Sequence, residues 1–219
     1  MLRIKFSGGR QFCTSKSPTS CSCKTLSEML RATVLHILLT TLTIVFVEQT
    51  VISQNCGVER WRIKTLSDND TVKIDFKKII ISTVHEQVSL IPPGKKTTRL
   101  DSETKVYSID CFIVGYKKES NDKDIHIIIE DIDTDETMVA EIPSYECFEI
   151  QKTSRYELFK ELQEWFTKNI GKPTSKFVYL EKHIPVTITG VGFFDFNHGQ
   201  IGMAGNGREI HPVLSIKLK

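Results

Sequence analysis

The sequence predicts a mainly β, α+β domain, and three observations carry that prediction. Three β-branched runs follow one another over residues 105–142 with short polar turns between them, one amphipathic helix comes next, and two further β-branched runs then flank a glycine-rich loop. Three strands, a helix and two strands is the element order of an OB-like fold, a five-stranded, partly open barrel with its helix between strands three and four. Residues 101–219 are assigned to that barrel, residues 56–100 to an N-terminal extension too short for a core of its own, and residues 1–55 to a leader.

The leader contains Ala32–Val47, an uncharged, largely apolar run of 16 residues behind Arg31. A bilayer span needs about 20 apolar residues and a secretory h-region about 7 to 15, so the run reads as a signal peptide cleaved near Ser53. An exported protein with no stable membrane span after cleavage is expected; a single-span membrane anchor is the alternative. Met29 ahead of Leu30 and Arg31 would also make a conventional start. Residues 1–55 hold six Lys or Arg against two Glu, which leaves 23 against 25 afterwards, so a strongly basic nucleic-acid footprint is absent. Cys56, Cys111 and Cys147 follow the leader, enough for one disulfide in an exported chain. Cys111 lies in an apolar strand and reads as a buried free thiol, which leaves Cys56 to pair with Cys147.

In chain order, Glu59–Leu66 alternates as a strand would, and Ser67–Asp70 reads as a turn. Val72–Ile91 fits a short helix or an extended strand equally well and stops at Pro92, Pro93 and Gly94. Lys105–Tyr116, Asp124–Ile132 and Met138–Ile142 are the three meander strands, the last stopped by Pro143. Ser154–Asn169 is the helix, with Ser154 as cap and Glu157 as its capping-box partner; Leu158, Phe159, Leu162, Trp165 and Phe166 belong to its apolar stripe. Gly171 and Pro173 end it. Val186–Phe196 and Ile210–Leu218 are the last two strands.

Chemistry concentrates in three places. Asp124 and His126 are two apart at the start of the second strand and share a face, with Glu141 placed to pair across from the third. Glu209 and His211 repeat the spacing in the last strand. The intervening glycine loop offers Asp195, His198, Gln200 and Asn206 for ligand binding, and Phe194 as a stacking surface, with core packing as the competing assignment for the phenylalanines. Carboxylates and imidazoles together suit a divalent metal or an acid–base pair. Asp124, His126, Glu141, Glu209 and His211 are therefore the candidate catalytic residues, and His126, His198 and His211 the candidate metal ligands. In an OB-like barrel the turn after strand one and the loop between strands four and five lie on the ligand-facing side, which would bring these groups together. The chain has no Walker loop, G-x-S-x-G elbow, H-E-x-x-H or EF-hand spacing, which removes those readings.

The segments ERWRIKTLSD, DKDIHIIIED, VAEIPSYEC and GVGFFDFNHGQIGMAGNGREIHPVLSI together resemble an uncharacterised family of secreted bacterial proteins, over most of residues 56–218. That resemblance implies export but no activity. A looser likeness is to staphylococcal-nuclease-like OB-fold domains, which place an acidic turn before their second strand and an acidic residue and Pro at the end of their third, as Asp122, Asp124, Glu141 and Pro143 do here. The likeness implies a phosphodiesterase, but the strands lack the arginines that would hold phosphate, and Arg208 is no more than a candidate substitute, which puts that mechanism in doubt.

Three functions are therefore expected, in this order: binding of an extended ligand (oligonucleotide, oligosaccharide or peptide), metal-assisted hydrolysis, or a structural extracellular module.

Overall fold

The computed structural model describes residues 56–219 apart from residues 58, 95–97 and 197–198, so the expectations for the leader and for His198 lie outside the described residues. In order come helix α1 (Trp61–Lys64), strand β1 (Ile79–Ser82), helix α2 (Val84–Val88), strands β2 (Val106–Lys118), β3 (Ile125–Asp131) and β4 (Thr137–Ile142), helices α3 (Phe148–Gln151) and α4 (Tyr156–Asn169), and strands β5 (Val178–Phe194) and β6 (Arg208–Leu218). Single 3-10 turns occupy Asn69–Lys73 and Asp101–Glu103.

The strands form one mainly antiparallel sheet in the order β1-β2-β3-β4-β6-β5, with β2 also pairing β5. The β4–β6 contact is parallel and only two register pairs long, Val139 with Glu209 and Ala140 with Ile210, and the sheet does not close into a regular barrel. Six strands replace the expected five, because Ile79–Ser82, in the segment read as an extension, pairs in parallel with the start of β2. A four-residue apolar run has no decisive period; a neighbouring strand edge decided it.

Two further expectations are corrected. Trp61–Lys64 is helical, not extended. The segment pairs with no strand; buried charges hold it instead, with Arg60 on Glu103 and Lys64 on Asp195. Helix α4 starts at Tyr156 and has no side-chain cap from Ser154. Thr153 Oγ1 takes the Arg155 amide at 3.2 Å, and the helix enters from that turn.

The apolar core lies between the sheet and α4, where Phe166 is fully buried among Ile109, Ile113, Ile127, Ile129 and Met138. Cys56 and Cys147 are bonded, with Cα atoms 5.6 Å apart, which tethers the chain ahead of α1 to the start of α3. Cys111 is buried and free. Among the described residues no helix is long and apolar enough to cross a membrane.

Candidate metal centre

Strand alternation builds the site. Ile125, Ile127 and Ile129 of β3, Met138, Ala140 and Ile142 of β4, and Ile210 of β6 face the apolar core. Their neighbours His126, Glu141, Glu209 and His211 must then lie on the opposite face. Register completes the gathering, since His126 stands across from Glu141 and β4 brings Val139 beside Glu209. Asp124, immediately before β3, is anchored by the Ser144 amide on its Oδ1 at 2.8 Å.

That face is roofed. The β5–β6 loop crosses β3 so closely that a Cβ at Gly202, whose φ is +79°, would stand 2.4 Å from the Ile128 side chain. The crossing places the Ile201 carbonyl 3.1 Å from His126 Nε2. From the other side α1 brings Lys64, whose Nζ donates to Asp195 Oδ2 at 2.8 Å. His126, His211 and Asp124 are consequently 0% exposed, Glu209 1% and Glu141 3%. A cleft of about 280 Å³ remains above them, lined by Trp61, Lys64, Asn121, Asp122, Asp195 and Gln200.

Proton counting makes the cluster unusual. A carbonyl only accepts, so His126 Nε2 carries the proton it donates to Ile201. Its Nδ1 then faces Glu141 Oε1 at 2.9 Å and Glu119 Oε1 at 3.5 Å. A bare Nδ1 lone pair against two carboxylates is repulsive; a proton, on the ring or on a carboxyl, or a shared cation must stand between them. His211 meets the same condition on both edges, with Nδ1 3.0 Å from Glu141 Oε2 and 3.1 Å from Glu209 Oε1, and Nε2 3.4 Å from Asp124 Oδ2. That last pair is too poorly aligned for a full hydrogen bond, and neither atom has another partner.

The charges do not balance within the protein. Asp124, Glu141, Asp195 and Glu209 are all buried, and among the described residues Lys64 is the buried ammonium beside them. Each uncompensated buried ion costs several kcal/mol, on the order of the ~4 kcal/mol that a charge pair 4 Å apart gains at an effective dielectric of 20. Without a cation, protons must make up the deficit. Burial, with Asp122 and Glu141 nearby, pushes Asp124 up to about 7. Burial and Glu141 raise Glu209 as well. Burial would also raise Glu141, but the two imidazoles outweigh it and hold that carboxyl well below its usual value. Burial works against a charged His211, yet the surrounding Asp124, Glu141 and Glu209 carry it well above the ordinary imidazole range.

A cation fits the same geometry without those protons. Donor atoms about 2.0 to 2.2 Å from one ion stand roughly 3 to 3.5 Å apart, the spacing of the nitrogen–oxygen pairs above. Among the described residues two groups of three bring their ligand atoms within 4.8 Å of one another, Asp124 with Glu141 and His211, and Glu119 with His126 and Glu141. Carboxylate with imidazole suits zinc, manganese or iron(II) better than calcium.

All five residues expected to be catalytic thus lie in one cluster. Those expected to bind ligand separate. Asp195 and Gln200 line the cleft. Asn206 is half-buried; it donates to the Gln87 and Leu90 carbonyls and accepts from the Arg208 amide, tying the loop to α2. Phe194 is 2% exposed, with the Arg208 guanidinium 4.8 Å over its ring, and presents no stacking face to a ligand. Arg208, fully buried, donates to Gln87 and Ser102, so it is not positioned as the phosphate-binding substitute. Lys64 and Glu119 were missed. Lys64 lies in a segment whose alternation suggests a strand and Glu119 just beyond the end of β2, and nothing local distinguishes either from a solvated residue.

No protein-family model matches the chain, and no curated protein matches it.

Proposed function

We propose that the chain is an exported, OB-like domain acting as a divalent-cation-dependent hydrolase of phosphodiesters or similar anionic esters. The observation that carries this reading is His211, a fully buried imidazole with carboxylate oxygens 3.0 to 3.4 Å from both ring edges. The cation would rest on Asp124, Glu141 and His211, where it would polarise an ester oxygen and acidify a bound water. Asp122, whose carboxyl is raised by burial and by Glu141, stands between the cluster and the cleft as general base. Lys64, held charged by Glu209, Glu141 and Asp195 against the effect of burial, faces developing negative charge from the opposite wall.

The OB-like reading is supported by the pairing circuit β2-β3-β4-β6-β5, in which β5 returns to β2, and by α4 lying between β4 and β5. Export is supported by the Cys56–Cys147 bond, which an oxidising compartment preserves.

The test is the metal content of the purified full chain, followed by hydrolysis of bis(p-nitrophenyl) phosphate and p-nitrophenyl acetate with and without chelator. Bound metal, with activity lost on chelation and in His211→Ala, is expected. A wild type that binds no zinc, manganese or iron(II) would sink the proposal. Extended-ligand binding is the second reading, favoured by Tyr179, which is 66% exposed with its ring 4.7 Å from that of Phe177. It predicts chelator-insensitive binding on a glycan or oligonucleotide array, lost in Tyr179→Ala.

A further inference from the structure

We propose that the cluster holds two divalent cations bridged by the Glu141 carboxylate, one among Asp124, Glu141 Oε2 and His211, the other among Glu119, Glu141 Oε1 and His126. The proposal rests on the cation-binding reading above and specifies the form of that site.

The two oxygens of Glu141 are used separately. Oε1 lies 2.9 Å from His126 Nδ1, whereas Oε2 lies 3.0 Å from His211 Nδ1. A carboxylate dividing its oxygens between two imidazoles is placed to bridge two ions, which in hydrolytic pairs stand roughly 3.5 to 4 Å apart. His126 is prepared as a ligand, because the Ile201 carbonyl fixes the proton on Nε2 and turns the Nδ1 lone pair toward Glu141 and Glu119. A backbone acceptor on the far nitrogen is the support that metal-bound histidines ordinarily receive.

Unsatisfied atoms occur in both halves. Asp124 Oδ2 is buried without a well-formed hydrogen bond in one, and Glu119 Oε1 in the other, although Lys117 Nζ forms an ion pair with it at 2.9 Å. Charge points the same way. Glu119, Asp122, Asp124, Glu141, Asp195 and Glu209 surround the site, and the nearby ammonium groups are Lys64 and Lys117. With neutral imidazoles a single divalent ion leaves that set negative, whereas two neutralise it. The cleft adjoins the cluster through Asp122, which lines it and lies close enough to Glu141 and His211 to feel their charge.

The experiment titrates manganese into the chelator-stripped full chain by calorimetry and records electron paramagnetic resonance of the product. Two ions per chain and a spin-coupled spectrum are expected for wild type. Glu119→Gln, a change at a half-buried residue that the fold should tolerate, is expected to bind one ion and give the six-line spectrum of isolated manganese. His126→Ala should behave alike, with near-ultraviolet circular dichroism confirming its fold. One ion in wild type, unchanged by Glu119→Gln, overturns the pair while leaving a one-cation hydrolase standing. No ion in wild type overturns both proposals.

Discussion

Glu141→Gln tests the site at the residue on which it turns. The substitution keeps the volume and removes one charge from a group shared by two imidazoles, at 2.9 and 3.0 Å. At about 4 Å and an effective dielectric of 20, one unit charge pair is worth ~4 kcal/mol, which at 1.36 kcal/mol per decade is roughly a thousandfold in Kd. A divalent partner makes that a lower bound. The stripped protein loses stability too, because two charge-assisted hydrogen bonds of about 1.5 to 3 kcal/mol each become amide contacts. The assay is thermal unfolding of wild type and variant, each with chelator and with saturating zinc or manganese, beside calorimetric titration. Metal should raise the wild-type Tm markedly and the variant Tm little, with affinity weakened by about three orders of magnitude. If the variant instead binds metal within tenfold of wild type, or if metal moves neither Tm, the cluster is a protonated hydrogen-bond network and the reasoning fails.

Three other outcomes follow from the structure. Gly202→Ala forces a side chain into a +79° φ and against Ile128, so the loop must lift and withdraw the Ile201 carbonyl from His126; metal affinity should fall about 10- to 100-fold without a ligand being touched, as titration of the variant will show. Cys56→Ser with Cys147→Ser opens a closure spanning a sequence separation of 91 residues and should cost about 4 kcal/mol, read as a Tm drop on the order of 10 °C in calorimetry. Burial would raise Asp68, but hydrogen bonds from Arg99 and Thr71 outweigh it and hold the carboxyl below its usual 3.8, so the stability it contributes is full above about pH 4 and is lost as pH falls through the lower folded value. Urea midpoints between about pH 5 and pH 2.5 should therefore fall less steeply in Asp68→Asn than in wild type.

Much of the architecture was determined locally. The runs that became β2, β3, β4 and β6 are short, rich in β-branched residues and bounded by polar turns or Pro, and the stripe of α4 repeats at helical spacing, so element type and order could be read from neighbours alone. The pairing of His126 with Glu141 and of Glu209 with His211 was legible for the same reason, since alternation fixes which residues share a face. The cysteine pair followed from arithmetic and burial. Tertiary structure decided everything that depends on what covers a face. Phe193 and Phe194 point in opposite directions, yet both are buried, one beneath Arg60 and the other beneath Arg208. Trp61–Lys64 is a helix held by buried ion pairs, and that docking delivers Lys64 to Asp195, at a sequence separation of 131. Glu119 and Lys64 carry no local mark, because a charged residue in a turn or helix looks the same whether it meets water or a buried carboxylate. A sequence fixes periodicity and spacing within a few residues, whereas the electrostatics of a buried site arise from groups that only packing brings within a few ångströms of one another.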